Sequence, residues 1–200
     1  MFTGIIEDIG TVKDLKKENG NLVLTVKSGL AHKLKLNESL AHNGICLSVQ
    51  PVSKKTYRVT AVRETLNRTT LGNIKKGGKI NLERALKANG RIDGHFVLGH
   101  IDSRLKCLSV NELSGSHLFT FACRAGDRKY IVEKGSIAIN GVSLTIAGIS
   151  SKGFSVAVIP YTFRHSVFRY LKRGDEVNAE YDVLGKYIIR AMGKKNDANN

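Results

Sequence analysis

The chain repeats itself once, at an offset of 97 residues (141 − 44). This offset separates Asn43-Gly44 from Asn140-Gly141 and aligns residues 39–86 with residues 136–183 without a gap. Of the 48 aligned positions, 13 are identical, and others such as Ile45 and Val142 are close substitutions. A unit of this length that occurs only twice is a duplicated domain, since solenoid repeats are shorter and more numerous. The sequence therefore predicts two copies of one fold.

Each copy has the pattern of short antiparallel strands. Apolar and polar side chains alternate along residues 57–61 and again along 154–158, and Asn-Gly or Gly-rich turns separate such segments. With so few strands in each copy, closing the sheet into a barrel is the economical way to hide its edges. Short helices are predicted at equivalent places, over 64–71 and 161–171. An apolar stripe over 182–192 predicts a terminal amphipathic helix.

Composition and charge exclude several classes of protein. The net charge of +15 is spread over the chain, +9 in residues 1–97 and +6 in the rest, and aromatic residues make up only 6% with no tryptophan. A single-strand nucleic-acid binder needs stacking aromatics among its basic residues, so nucleic-acid binding is not favoured. The sequence shows neither a secretory signal nor an apolar run long enough to span a membrane. Three cysteines without a CxxC pair suit a reducing cytoplasm and predict no zinc site.

The candidate chemistry lies at equivalent places in the two copies, because no P-loop, HExxH, GxSxG or Rossmann motif is present. Small polar side chains alternate along residues 44–48 and 141–145. They could pair strands on a half-buried face, or they could form a face that binds a ligand. His95 and His100 lie five residues apart, which on a strand predicts opposite faces. Lys134 is typical of a solvated strand end, and Asp182 of a helix cap.

Four motifs in the right order resemble those of the riboflavin synthase family: Met1-Phe2-Thr3-Gly4-Ile5-Ile6-Glu7, Asn81-Leu82-Glu83-Arg84-Ala85-Leu86, Gly94-His95 with Leu98-Gly99-His100-Ile101-Asp102, and Gly141-Val142-Ser143-Leu144-Thr145. The resemblance extends to about Met192. It implies two six-stranded Greek-key barrels that bind lumazine, at 1–97 and 98–182. A trimerisation helix at 183–193 and a disordered tail at 194–200 would follow.

The implied reaction is the dismutation of two molecules of 6,7-dimethyl-8-ribityllumazine to riboflavin and 5-amino-6-ribitylaminouracil, the last step of riboflavin biosynthesis. The substrate's C7 methyl group is acidic, so no metal or other cofactor is expected. The resemblance also implies a cytoplasmic homotrimer, with one ring in the N-terminal barrel of a subunit and one in the C-terminal barrel of a neighbour, and an association with lumazine synthase. The rival is a non-catalytic, antenna-type lumazine protein. It is less favoured because this chain keeps Thr3, His100 and Thr145. A basic barrel that binds RNA is the third alternative.

The resemblance also implies the site residues. The first barrel would bind the substrate through Thr3, Gly4, Ile5, Ile6, Cys46, Leu47, Ser48, Thr60, Ala61, Val62, Arg63, Glu64 and Thr65. The second barrel would use Gly99, His100, Ile101, Lys134, Ser143, Leu144, Thr145, Val158, Ile159, Pro160, Tyr161, Thr162 and Phe163. His100 and Ser143 would move protons, and Thr145 would orient the pyrimidine ring. Cys46 is a candidate nucleophile alongside water, and Asp182 would position either catalytic groups or the ribityl hydroxyl groups. Asn140 stands where some family members carry a catalytic aspartate, so it cannot act as a carboxylate base.

Overall fold

The structure is a computed structural model that describes the backbone of residues 1–197 and the side chains of residues 1–192. The first copy forms a closed antiparallel barrel with strand order β1-β2-β5-β4-β3-β6. Its strands are β1 (Asp8–Glu18), β2 (Asn21–Lys27), β3 (Ser39–His42), β4 (Ile45–Ser53), β5 (Thr56–Ala61) and β6 (Lys79–Arg84).

The second copy forms an equivalent closed barrel with strand order β10-β11-β8-β7-β12-β9. Its strands are β7 (Ser103–Leu113), β8 (Ser116–Ala122), β9 (Ser136–Ile139), β10 (Val142–Ser150), β11 (Gly153–Val158) and β12 (Glu176–Tyr181). Each barrel encloses its own apolar core, built from the inward-facing side chains of its strands. The prediction of two six-stranded barrels is confirmed.

Asn-Gly pairs make the tight turns of the barrels. Asn43 and Gly44 have φ angles of +47° and +80°, and Asn140 and Gly141 have +46° and +78°. Positive φ at both central residues is the geometry of the two-residue hairpin whose twist matches that of the flanking strands. Each pair therefore fixes the register of the hairpin whose two strands it joins, β3-β4 in the first barrel and β9-β10 in the second.

The two barrels contact each other through these turns. A Cβ on Gly44 would lie 2.9 Å from the Gly141 nitrogen, so the turns fit back to back only without side chains there. Asn81 Nδ2 donates to the Asn140 carbonyl (2.9 Å), and Asn178 Nδ2 donates to the Asn43 carbonyl (3.0 Å). These reciprocal bonds join equivalent residues, which gives the contact approximate two-fold symmetry.

Each predicted short helix is divided in two. The first comprises α1 (Arg63–Arg68) and a 3-10 turn (Thr70–Asn73), and the second comprises α2 (Pro160–Arg164) and a 3-10 turn (Val167–Tyr170). Thr69 and Ser166 stand at the divisions, and their hydroxyl groups accept from the backbone N–H of Leu71 and Phe168. A hydroxyl that caps a new turn competes with continuation of the helix, which explains the break.

The terminal helix α3 (Val183–Asp197) begins where predicted and continues past the predicted end at residue 193. The remaining part of the predicted disordered tail, residues 198–200, lies outside the described residues. The Asp182 carboxylate caps this helix by accepting from Leu184 N–H (3.0 Å), as expected from the sequence. No helix within residues 1–197 combines the length and apolar character that crossing a membrane requires.

Candidate functional site

The opening segments of the two copies, which contain residues 2–4 and 97–99, lie side by side and then cross to opposite barrels. They are called the crossing segments below. Phe2 and Val97 form a reciprocal pair of backbone hydrogen bonds (2.7 and 3.1 Å). Beyond that pair, the carbonyl of Gly4 accepts from the N–H of Ser143 (2.8 Å), in the second barrel. The carbonyl of Gly99 accepts from the N–H of Cys46 (3.0 Å), in the first barrel. Each barrel therefore receives the opening segment of the other copy.

This exchange corrects the predicted grouping, which placed residues 4–6 in the first barrel's site and residues 99–101 in the second's. The cause is an uncovered strand edge. β3 covers one side of β4 from Ile45 to Ser48, but β5 pairs with β4 only from Val49 onward. The same gap exists in β10, whose pairing with β11 begins only at Ile146. An unpaired edge at a barrel rim needs a partner, and the crossing segment supplies it.

Only glycine fits at the two crossing points. A Cβ on Gly4 would lie 2.6 Å from Ser143 Cβ, and a Cβ on Gly99 would lie 2.5 Å from Cys46 Cβ. Both glycines also have φ in the left-handed region, +80° and +85°. The two glycines therefore let the backbone of each crossing segment approach the polar strand of the other copy.

In the second barrel the crossing brings a histidine to the polar strand. His95 Nδ1 and Ser143 Oγ lie 2.7 Å apart, within hydrogen-bonding distance, and the tautomer of the imidazole decides which atom donates. His95 is 9% exposed. Burial lowers the pKa of the His95 imidazole, while the negative charge of Asp182 opposes that shift. The sequence predictions paired Ser143 with His100 instead. The Gly94-His95 pair was the signal that pointed to this residue.

In the first barrel the crossing places His100 beside the strand that carries Cys46 and Ser48. The segment is not a strand, and its backbone turns at Gly99, so the expectation that His95 and His100 occupy opposite faces of one strand is wrong. The two histidines belong to different barrels. Cys46 is half-buried, while Ser48 and His100 are exposed.

The predicted site residues in the runs 60–65 and 158–163 lie next to the polar strands, and most of them are exposed or half-buried. In the first barrel Thr60, Arg63 and Glu64 are exposed, Thr65 is half-buried, and only Ala61 is buried. In the second barrel Ile159 and Tyr161 are 59% and 66% exposed, and the predicted Lys134 is exposed as well.

Phe163 is half-buried beside the second surface. Its ring stacks on that of His117 at 3.7 Å between centroids and an interplanar angle of 5°. Two exposed surfaces therefore lie at equivalent places in the two barrels, with mainly polar and charged side chains in the first and apolar side chains such as Ile159 and Tyr161 in the second. Each is open rather than enclosed.

Two clefts lie outside these surfaces. One of about 640 Å³ is bordered by Thr3, Ile5, Ser39 and the exposed ion pair of Arg91 with Asp93. Another of about 450 Å³ lies between the barrels, next to Asn43 and Asn140.

Asn140 lies at the contact between the two barrels. It is buried between the barrels, and its amide oxygen accepts from Asn178 N–H (2.9 Å). Asn43 makes the same bond to Asn81 N–H (2.8 Å) in the first barrel. The identity of this residue in both copies is therefore explained by the turn and the barrel contact.

Sequence reasoning missed two buried carboxylates next to the crossing segments. Glu83 accepts hydrogen bonds from Thr3 and Gly4, and Glu180 accepts them from Leu98, Gly99 and His100. Burial raises the pKa of both carboxyl groups, and the N–H donors oppose the shift. Their identity across the repeat was the available signal, but their partners belong to segments whose position the repeat does not predict.

Comparison with known proteins agrees with this duplicated architecture. The model of the lumazine binding domain matches the chain twice, over residues 3–85 and 98–182. Two copies of a lumazine-binding domain therefore define the class of this chain. The riboflavin synthase of Bacillus subtilis (strain 168) is 40% identical over 198 residues, which cover 98% of this chain and 92% of that protein. The riboflavin synthase of Schizosaccharomyces pombe (strain 972 / ATCC 24843) is 37% identical over 202 residues, 96% of this chain and 94% of that protein. The chain belongs to the riboflavin synthase family.

The fold also matches solved structures of LumP. The structure of LumP complexed with riboflavin aligns with a TM-score of 0.84 at 22% identity, over 90% of this chain and 99% of that chain. LumP complexed with 6,7-dimethyl-8-(1'-D-ribityl) lumazine gives a TM-score of 0.82 at 21% identity. At this level of identity the likeness concerns the fold.

Proposed function

We propose that this chain is a riboflavin synthase. It converts two molecules of 6,7-dimethyl-8-ribityllumazine into riboflavin and 5-amino-6-ribitylaminouracil by passing a four-carbon unit from one to the other. The observation that carries this proposal is the pair of equivalent but chemically different polar strands, with Cys46 and Ser48 in one barrel and Ser143 and Thr145 in the other. Two related surfaces suit a reaction in which two copies of one substrate take different parts.

The pair of His95 and Ser143 is the best candidate for proton transfer. Because burial lowers the pKa of His95, its imidazole is neutral at pH 7 and can accept a proton, directly or through the Ser143 hydroxyl. The nearby Asp182 carboxylate stabilises the imidazolium that then forms. His100 and Cys46 would serve the other ring in the first barrel, where His100 is exposed and free to reach a bound substrate.

The open surfaces support a homotrimer in which one subunit's N-terminal barrel faces a neighbour's C-terminal barrel. Helix α3 presents Leu184, Tyr187 and Ile188 to the outside, with Tyr187 73% exposed. Lys186 pairs with Asp102 and fixes the helix on the second barrel, so this apolar stripe is held in place for a partner subunit. A cytoplasmic location and an association with lumazine synthase stay predictions. Co-sedimentation of the two proteins tests the association.

The test is turnover by the purified chain with 6,7-dimethyl-8-ribityllumazine as the only reactant. Absorbance should show one riboflavin formed for every two lumazines consumed, without added metal, nucleotide or flavin. A requirement for a different four-carbon donor would contradict the dismutation. Tight binding of lumazine or riboflavin without turnover would favour the antenna-type alternative.

A further inference from the structure

Glu83 and Glu180 are equivalent residues on the last strand of each barrel, and both are nearly inaccessible to water, at 4% and 2% exposure. Glu83 Oε1 accepts from Thr3 N–H (2.6 Å) and from the Thr3 hydroxyl (2.7 Å), and Oε2 accepts from Gly4 N–H (3.0 Å). Glu180 Oε1 accepts from Leu98 N–H (2.6 Å), and Oε2 accepts from Gly99 N–H (3.0 Å) and His100 N–H (3.1 Å). Each carboxylate thus holds two or three consecutive backbone groups of one crossing segment.

The segment held by Glu83 contacts both members of the proton-transfer pair in the other barrel. The Thr3 carbonyl accepts from His95 N–H (3.1 Å), and the Gly4 carbonyl accepts from Ser143 N–H (2.8 Å). Thr3 alone therefore links Glu83 to His95, and Gly4 alone links Glu83 to Ser143.

The segment held by Glu180 has the same relation to the first barrel. Gly99 accepts from Cys46 N–H (3.0 Å), and His100 is bound to Glu180 through its own N–H. Burying a carboxylate is costly unless several donors satisfy it, and each of these two carboxylates is satisfied by three donors of one crossing segment. A role in fixing the geometry of the site explains why both barrels carry one.

We propose that Glu83 and Glu180 are positioning residues that act crosswise: Glu83, in the first barrel, positions His95 and Ser143 in the second, and Glu180, in the second barrel, positions Cys46 and His100 in the first. The effect on turnover rests on the proposed riboflavin synthase activity. The crosswise effect on the two sites does not, because it can be measured without substrate.

The test uses one reporter for each site in the full-length chain. Alkylation of Cys46 by iodoacetamide, followed by peptide mass spectrometry, reports on the first barrel, and Cys107 and Cys123 serve as internal controls. NMR titration of the His95 imidazole reports on the second barrel. Glu83→Gln and Glu180→Gln keep the size of the side chain, but each places an amide NH₂ opposite a backbone N–H.

Glu83→Gln should shift the pKa of His95 by about half a unit or more and leave the alkylation rate of Cys46 unchanged. Glu180→Gln should change the alkylation rate of Cys46 by about threefold or more and leave the His95 titration unchanged. In the active enzyme both variants should lower kcat more than they raise KM. The proposal is overturned if each variant disturbs the reporter of its own barrel, or if both variants disturb both reporters equally.

Two further variants separate position from charge and guard against misfolding. Glu83→Asp keeps the negative charge but shortens the side chain, so positioning predicts a shift of the His95 pKa and a pure charge effect predicts none. A glutamine variant that misfolds would lose the near-ultraviolet circular dichroism of the folded chain. In that case Thr3→Ala tests the effect of Glu83 on the second barrel, and Glu180→Asp tests the effect of Glu180 on the first barrel. Thr3→Ala removes only one of the bonds to Glu83. It should shift the His95 titration alone, and an unchanged His95 would contradict the proposal. A chain without synthase activity that still shows the crosswise pattern would overturn the proposed function alone.

Discussion

Replacing His42 and Tyr57 by their counterparts in the second barrel should change how the stability of the chain depends on pH. His42 is completely buried, with Nδ1 3.0 Å from the Leu40 carbonyl and Nε2 2.9 Å from the Tyr57 hydroxyl. Burial lowers the pKa of His42 from 6.5 to about 4. At the equivalent positions the second barrel has Ile139 and Phe154, which form no such polar pair.

The sign follows from the protonation of the unfolded chain. Between pH 6.5 and about 4 the unfolded chain binds a proton at His42 and the folded chain does not, so His42 lowers the free energy of unfolding progressively as the pH falls through this range. Each pKa unit corresponds to about 1.4 kcal/mol, so the loss reaches about 3 kcal/mol below pH 4 and about 2 kcal/mol at pH 5. The raised pKa values of Glu83 and Glu180 act in the opposite direction, and only a comparison of variants isolates His42.

Urea unfolding followed by far-ultraviolet circular dichroism at pH 7 and pH 5 measures this effect. Between those pH values the wild type should lose about 2 kcal/mol more free energy of unfolding than the double variant His42→Ile/Tyr57→Phe. Tyr57→Phe alone is the matched control, because it keeps the buried imidazole and should keep the wild-type loss. An equal loss in the wild type and the double variant would refute the assignment of a buried neutral imidazole.

Three other outcomes are expected. His95→Gln and Ser143→Ala should each lower kcat by about 10²-fold or more with little change in riboflavin affinity, and effects below tenfold in steady-state assays would remove the pair from proton transfer. Asn178→Ala breaks its bonds to Asn43 and Thr70 and should lower the free energy of unfolding by about 2 kcal/mol, measured in urea against the wild type. Removal of the residues after Asp182 should convert the proposed trimer into smaller species in light scattering, and a truncated chain that still forms a trimer would place the interface elsewhere.

The barrels could be predicted from the sequence because the signals that specify them are local. Alternation along each strand and the Asn-Gly pairs at residues 43–44 and 140–141 determine strand faces and hairpin register without reference to distant residues. The helix breaks at Thr69 and Ser166 were missed, since a side-chain cap and a continued helix are both compatible with the same residue pattern.

The candidate site was only partly predictable, for a different reason. The polar residues Cys46, Ser48, Ser143 and Thr145 lie on exposed or half-buried strand positions, as the alternation indicated. The opening segment that contacts each polar strand was assigned to the wrong barrel. The repeat aligns each opening segment with its own copy, whereas in the structure the segment contacts the other copy. Which strand edge stays open is decided by the closed barrel, where β5 and β11 leave the first residues of β4 and β10 uncovered.

The crossing of the opening segments also bears on how such a chain could arise. A single copy with this fold could not cover the edge of its own β4, and it would need a second copy to exchange segments with. The ancestor implied by this geometry is a homodimer with two identical sites, related by the axis between the Asn-Gly turns. In a single chain that contains both copies, the two sites need not be identical. Cys46 stands in the first site where Ser143 stands in the second, and His100 stands where the other copy has Ile5. Two sites that differ in this way can treat two identical molecules differently.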